Sequence, residues 1–141
     1  MNMIVIGCGR FGGTLAKELS EEGHNICVID RDAGKLDALG SGFNGLRIRG
    51  VEYDDEVLHE AGILTADALF AVTPDENINI TASLIAQNIY RVPRIVARIV
   101  NPDRQYIYEQ LQIETINPIR LGVEQLKANL PKGRQSALPL F

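Results

Sequence analysis

A chain of 141 residues with 45% hydrophobic side chains is long enough to bury the core of one domain without disulfide or metal staples. Its net charge of −4, from 14 Lys and Arg against 18 Asp and Glu, gives no basic footprint for nucleic acid. No apolar run approaches the roughly 20 residues that span a bilayer, and no signal peptide is read before the first strand, so a soluble, cytoplasmic protein is expected.

Residues 3–6 form an apolar run of strand length, followed by Gly7-Cys8-Gly9-Arg10-Phe11-Gly12 and a helical run to Glu22. Residues 26–30 are a second apolar strand that ends on Asp30. Strand, G-x-G-x-x-G turn, helix, strand and acid stand in the order of a dinucleotide-binding βαβ unit, with the acid at close to the roughly 20-residue spacing such a unit needs. Gly7 lets the chain turn sharply off the strand. Gly9 has no side chain to hold a pyrophosphate away, and Gly12 lets the helix lie close to the strands. The helix from Arg10 onward presents unpaired N–H groups to the phosphate. Asp30 is suited to accept ribose hydroxyls and to repel a 2′-phosphate. Arg10 is placed either to reach a phosphate or to make a surface salt bridge. Arg31 is placed either to stack over an adenine or to remain solvated.

Downstream, residues 33–39 have helical spacing, with Asp32 as N-cap and the glycines from Gly40 to Gly42 as a stop. Residues 43–49 alternate only partly and predict a less buried edge strand, with Gly50, Val51, Glu52 and Tyr53 as its turn. Asp54, Asp55 and Glu56 open a short helix to residue 60, where acids complement the helix dipole. Residues 66–72 are a buried fourth strand closed by Thr73, Pro74 and Asp75. Asp75 caps a helix over residues 76–90, with Ile78, Ala82, Ile85 and Ile89 as its apolar stripe. A strand over 94–99, a helix over 101–111, a short strand over 115–117 and an amphipathic helix over 119–129 complete the pattern. Leu121, Val123, Leu126 and Leu130 are the apolar side of that last helix.

Residues 1–130 therefore read as one nucleotide-binding domain and 131–141 as a linker or tail. The alternation predicts a Rossmann-like, doubly wound α/β fold: a six-stranded parallel sheet in the order 3-2-1-4-5-6, with helices on both faces. The ligand crevice then lies where the order reverses, at the carboxyl ends of strands one and four. That gathers Gly7 to Gly12, Asp30, Gly50, Val51, Thr73 and Arg98 around one site. Arg98 either points into it or makes a structural ion pair.

Catalytic equipment is missing from this reading. Tyr90, Tyr106 and Tyr108 lack a Lys four residues on, so no short-chain dehydrogenase arrangement is present. No His, Cys and Asp cluster offers a metal site. His24 and His59 are isolated. Cys8 and Cys27 have no metal or redox spacing and read as small apolar fillers that approach each other near the sheet end. A binding module is expected rather than an enzyme; the alternative is the nucleotide-binding half of an NAD-dependent oxidoreductase.

Several stretches together resemble a known family. They are residues 4–12, Val28-Ile29-Asp30, residues 56–63, Ala66-Asp67, residues 71–77 and Ala97-Arg98. Over residues 3–129 the chain resembles the TrkA-N module, also called the RCK or KTN domain, of potassium channel and transporter regulators. The resemblance implies a cytoplasmic regulatory subunit, peripheral to the inner face of the membrane through a partner. It implies binding of NAD(H) or ATP/ADP, a homodimer or an octameric ring, and a membrane-embedded potassium channel or transporter as partner. It places the last helix against a neighbouring copy and gives Arg10 the role of sensing a terminal phosphate across the dimer. The implied site residues are Gly7, Gly9, Arg10, Phe11, Gly12, Asp30, Arg31, Gly50, Val51, Glu52, Thr73 and Arg98, with none catalytic and none on a metal. Two positions depart from the pattern. Val51 stands where many members have an acid, which leaves adenine recognition to backbone groups or Glu52. Ile119 follows Pro118 where some members carry a cation-binding Glu. The second, carboxy-terminal lobe of many members does not follow residue 130, so the chain is expected to be a one-lobe subunit or part of a longer one.

Overall fold

The computed structural model describes residues 1–133. Alternating runs of apolar and amphipathic sequence give β1 (Asn2–Ile6), α1 (Arg10–Glu21), β2 (Asn25–Asp30), α2 (Ala33–Asp37), β3 (Leu46–Arg49) and α3 (Asp55–Glu60). They continue as β4 (Ala68–Ala71), α4 (Glu76–Asn88), β5 (Arg94–Arg98), α5 (Gln105–Gln110), β6 (Glu114–Ile116) and α6 (Pro118–Ala128). Single 3₁₀ turns at Ile63–Thr65 and Pro102–Arg104 complete the set. The six strands form one wholly parallel sheet in the order β3-β2-β1-β4-β5-β6, as the sequence predicts.

Parallel strands need crossovers, and the crossovers cover both faces of the sheet. β1 and β2 are accordingly apolar along almost their full length, and alternate residues feed two cores. Ile4, Ile6, Ile29, Leu58 and Leu69 pack on the α3–α4 side; Met3, Val5, Val28, Leu36 and Phe43 pack on the α1–α2 side. A smaller cluster of Ile99, Tyr108 and Ile113 joins α5 to the far edge. Burying a side chain such as Leu58 or Leu69 contributes about 1.5–3 kcal/mol relative to leaving it in water. Asp32, Asp54, Asp75 and Asn117 each accept backbone N–H groups at the starts of α2, α3, α4 and α6. Each such cap stabilises its helix by about 1 kcal/mol.

Several local expectations change. β3 begins at Leu46, not at 43: Phe43 is buried as a loop anchor, and its ring lies where a side chain on Gly45 would go. The buried side of α4 is Glu76, Asn79, Ala82, Ser83 and Ala86, whereas Ile89 lies beyond the helix end and is 65% exposed. Small residues let α4 approach the sheet closely, and the isoleucines flank that contact. The two cysteines are buried and free but belong to opposite cores, Cys8 with α1–α2 and Cys27 with α3–α4. His59 is not isolated: its Nε2 lies 2.8 Å from the Tyr90 hydroxyl, which also donates to Asp55. Among the described residues, no helix is long and apolar enough to cross a membrane. The expected tail at 131–141 falls mostly outside the described residues; positions 131–133 are exposed.

Candidate nucleotide-binding site

The chain leaves β1 and β4 on opposite faces of the sheet, so their carboxyl ends diverge and a crevice of about 640 Å³ opens above them. Asp30, Arg31, Lys35 and Glu52 line one end, and Thr73, Asp75, Glu76, Asn101 and Arg104 the other.

The three glycines of the loop are needed for different reasons. Gly7 has φ +101°, and a Cβ there would meet Thr73 Cγ2 at 2.9 Å. A Cβ on Gly12 would sit 1.8 Å from the Gly7 carbonyl oxygen, so the first turn of α1 closes directly on the loop. Around Gly9 nothing lies within 4 Å of that position. Gly7 and Gly12 are therefore demanded by the fold, and Gly9 leaves a concavity that a side chain would fill. No side chain caps the start of α1 and no acid sits in its first turn, which leaves its N–H groups available to an anion.

Asp30 is buried and already engaged. Its Oδ2 accepts the Cys8 N–H at 2.8 Å and its Oδ1 accepts the Asp32 N–H at 2.9 Å. It thus clamps the glycine loop to the end of β2, and each oxygen keeps one further acceptor site for a hydroxyl.

Arg31 is neither stacked nor simply solvated. Its Nε donates to Glu52 Oε1 at 2.7 Å and its Nη2 to Oε2 at 3.0 Å, a bidentate pair. Glu52 is only 2% exposed, and its carboxylate raises the Arg31 pKa further above its ordinary value, chiefly through this hydrogen bond. Glu52 therefore meets a ligand only together with Arg31.

On the opposite wall, Asn79 is fully buried and ties two strand ends together. Its Oδ1 accepts the Thr73 N–H at 3.0 Å, and its Nδ2 donates to the carbonyls of Thr73 and Arg98 at 2.9 and 3.1 Å. Glu76 Oε1 accepts the N–H groups of Val100 and Asn101 at 2.7 and 2.8 Å, and Oε2 lies 3.3 Å from Arg104 Nη1.

Of the residues expected at the site, Asp30, Arg31, Glu52 and Thr73 line the crevice. Gly9 and Arg10 line a hollow on the α1–α2 side. Arg98 does not point in. Register pairs Phe70 with Val96 and Ala71 with Ala97, so Val96 and Arg98 share the α1 face of the sheet. There the guanidinium carbon lies 5.9 Å from the centroid of Phe11, and Nη1 donates to the Val72 carbonyl at 3.5 Å; among the described residues no acid forms an ion pair with it. Phe11 is thus a packing partner of Arg98 and not a crevice wall. Val51 is exposed beside the crevice, and Gly50 makes room for Val57, whose Cγ2 would lie 2.6 Å from a Cβ. Lys35, Glu76, Asn79 and Arg104 were not anticipated. A signal existed for two of them: Glu76, Asn79 and Ser83 repeat at helical spacing on the face of α4 that also carries Ala82 and Ala86.

The TrkA-N domain family matches residues 3–118. The Trk system potassium uptake protein TrkA of Streptomyces coelicolor is 40% identical over 136 residues, which is 96% of this chain and 61% of that protein. The Vibrio alginolyticus protein of the same name is 37% identical over 103 residues, covering 73% of this chain and 22% of its own length. This chain thus spans less than two thirds of these relatives. Among solved structures, the TrkA-N domain of the inner membrane protein YbaL from Escherichia coli superposes with a TM-score of 0.80 at 20% identity, covering 92% of this chain and 96% of that one. The Kef CTD of Shewanella denitrificans in AMP-bound form gives 0.74 at 23% identity, over 92% and 82% of the two chains. The GsuK channel bound to NAD gives 0.69 at 16% identity, over 82% and 21%. At these identities the structural likeness is one of fold. The sequence match, however, runs through all six strands and the glycine loop: the chain belongs to the TrkA-N domain family.

Proposed function

We propose that this chain is the nucleotide-sensing module of a potassium uptake or channel system, and that it takes an adenine nucleotide, NAD(H) or ATP/ADP, across the carboxyl ends of β1, β2 and β4. The observation that carries this reading is the crevice at the point of strand reversal, lined by Asp30, whose carboxylate accepts the Cys8 N–H of the adjoining glycine loop, where Gly9 leaves open space. Relatives described as potassium uptake proteins, and fold neighbours solved with AMP and NAD, support it.

In this reading the phosphates approach the backbone at Gly9 and the uncapped first turn of α1. Asp30 offers its remaining acceptor sites to ribose hydroxyls, and its charge disfavours a 2′-phosphate. The Arg31–Glu52 pair borders the adenosine end. Binding, not chemistry, is the output in this reading, in keeping with the ion pairs that hold two of the crevice's carboxylates, Glu52 with Arg31 and Glu76 with Arg104. Ile119, Leu121, Val123, Leu126 and Leu130 are exposed along and just beyond α6, which suits a homodimer or larger ring. Such an assembly would act at the cytoplasmic face of a membrane-embedded potassium partner, with residues after 130 as the linker.

Calorimetric titration with NADH, NAD, ATP, ADP and AMP tests the reading. Saturable binding of at least one is expected, weakened by about 1–3 kcal/mol in Asp30→Ala. Absence of heat from all five at millimolar concentration overturns it.

A further inference from the structure

Asn44-Gly45 is the only Asn-Gly step in the chain; every other asparagine precedes Met, Ile, Leu or Pro. The step lies in the irregular segment before β3, outside any helix or strand. Asn44 is exposed, and among the described residues its carboxamide has no hydrogen-bond partner. It opens on a hollow of about 520 Å³ at the amino ends of β1, β2 and β3, the end of the sheet away from the crevice. Other asparagine side chains are held. Asn79 donates to two carbonyls, Asn101 and Asn117 accept backbone N–H groups, and Asn2 and Asn25 bond each other. Asn101 and Asn117 also precede prolines, which have no N–H.

An Asn followed by Gly has a chemistry of its own, because no side chain shields the next backbone nitrogen. The Gly45 nitrogen attacks Asn44 Cγ and gives up its proton. A C–N bond forms, the Cγ–Nδ2 bond breaks, and the departing amide leaves with that proton as ammonia. Water then opens the five-membered succinimide. Cleavage of the new bond leaves aspartate; cleavage at the Asn44 main-chain carbonyl leaves isoaspartate, whose backbone runs through the side chain and is one carbon longer. The flanks of this site are fixed. Phe43 is buried, the Arg47 guanidinium carbon lies 5.1 Å from its ring centroid, and Arg47 Nε donates to the Leu36 carbonyl at 3.2 Å. A Cβ on Gly45 would lie 2.5 Å from the Ile26 carbonyl oxygen. An added backbone carbon therefore has no slack to enter.

We propose that Asn44 is a site of spontaneous deamidation, with water as its sole co-reactant, and that isoaspartate there unseats the Phe43–Arg47 anchor at the entrance to β3. The full, folded chain is incubated in warm, mildly alkaline buffer and digested with trypsin, since Asn44 is the only asparagine between Lys35 and Arg47. That peptide is expected to gain the mass of an amide-to-acid change and to accept methyl groups from an isoaspartyl methyltransferase. Its conversion should run within about tenfold of the rate in the urea-unfolded chain, because an exposed irregular segment opens at little free-energy cost. Asn44→Gln, whose amide would have to close a six-membered ring, should stay unconverted over the same period. The isoaspartyl chain should unfold at lower urea than Asn44→Asp, which carries the charge without the extra carbon. An unconverted Asn44 peptide from the folded chain, or earlier conversion of another asparagine, overturns the site. Equal urea midpoints for the isoaspartyl chain and Asn44→Asp overturn the effect on the anchor.

Discussion

A methyl group at position 12 would overlap the Gly7 carbonyl oxygen, whereas one at position 9 would touch nothing. Gly9 also has φ −78°, which alanine adopts freely. The two substitutions should therefore separate fold from function. Gly12→Ala is expected to lose about 3 kcal/mol of stability, read as a fall in the urea midpoint. Gly9→Ala should hold its midpoint within about 0.5 kcal/mol. Its nucleotide affinity should nevertheless fall at least about tenfold, because the methyl occupies the space a phosphate needs. Equal midpoints for both variants, or unchanged affinity in Gly9→Ala, would contradict this division of roles. The glycine pattern was legible in the sequence because φ and close approach are local constraints. That Asp30 spends two acceptor sites on Cys8 and Asp32 was not, since it depends on where the loop folds back.

At the scale of one element, α4 shows both the reach and the limit of periodicity. Its start was readable, because Asp75 followed by an acidic first turn is a capping pattern, and Asp75 accepts the N–H groups of Asn77 and Ile78. Its buried side was not, because an isoleucine stripe is the stronger hydrophobic signal while close helix–sheet contact favours small residues. Asn79 sits in that contact with partners on β4 and β5. Asp75→Ala should cost about 1 kcal/mol, the worth of a cap. Asn79→Ala should cost more, about 2–3 kcal/mol, because it strands buried backbone groups at two strand ends. Urea unfolding of the pair checks the order, and an Asn79→Ala loss no larger than that of Asp75→Ala would contradict it.

For the whole molecule, the sheet order and the α6 surface matter most. Ile119, Leu126 and Leu130 are 68%, 74% and 69% exposed, and none joins the three buried clusters. Leu126 and Leu130 continue one side of α6 with Ile119 and Val123, all exposed, an arrangement that suits the proposed contact between copies. Sedimentation equilibrium should find the chain self-associated at micromolar concentration and Leu126→Glu shifted toward monomer by about tenfold or more in dissociation constant. An unshifted variant would place the contact elsewhere.

The sequence by itself determined the element order, the strand reversal and thus the place of the crevice, because burial period, turn sterics and crossover handedness act over short stretches. Tertiary structure alone decided which side chains meet there. Arg31 pairs with Glu52, Glu76 reaches Val100 and Asn101, and Arg98 turns to Phe11. Those pairings join different elements, and each depends on strand register and on which face of the sheet a residue takes. The loop from Gly7 to Gly12 was recognisable from its spacing, but the hollow beside it exists only because α1 and α2 are brought side by side.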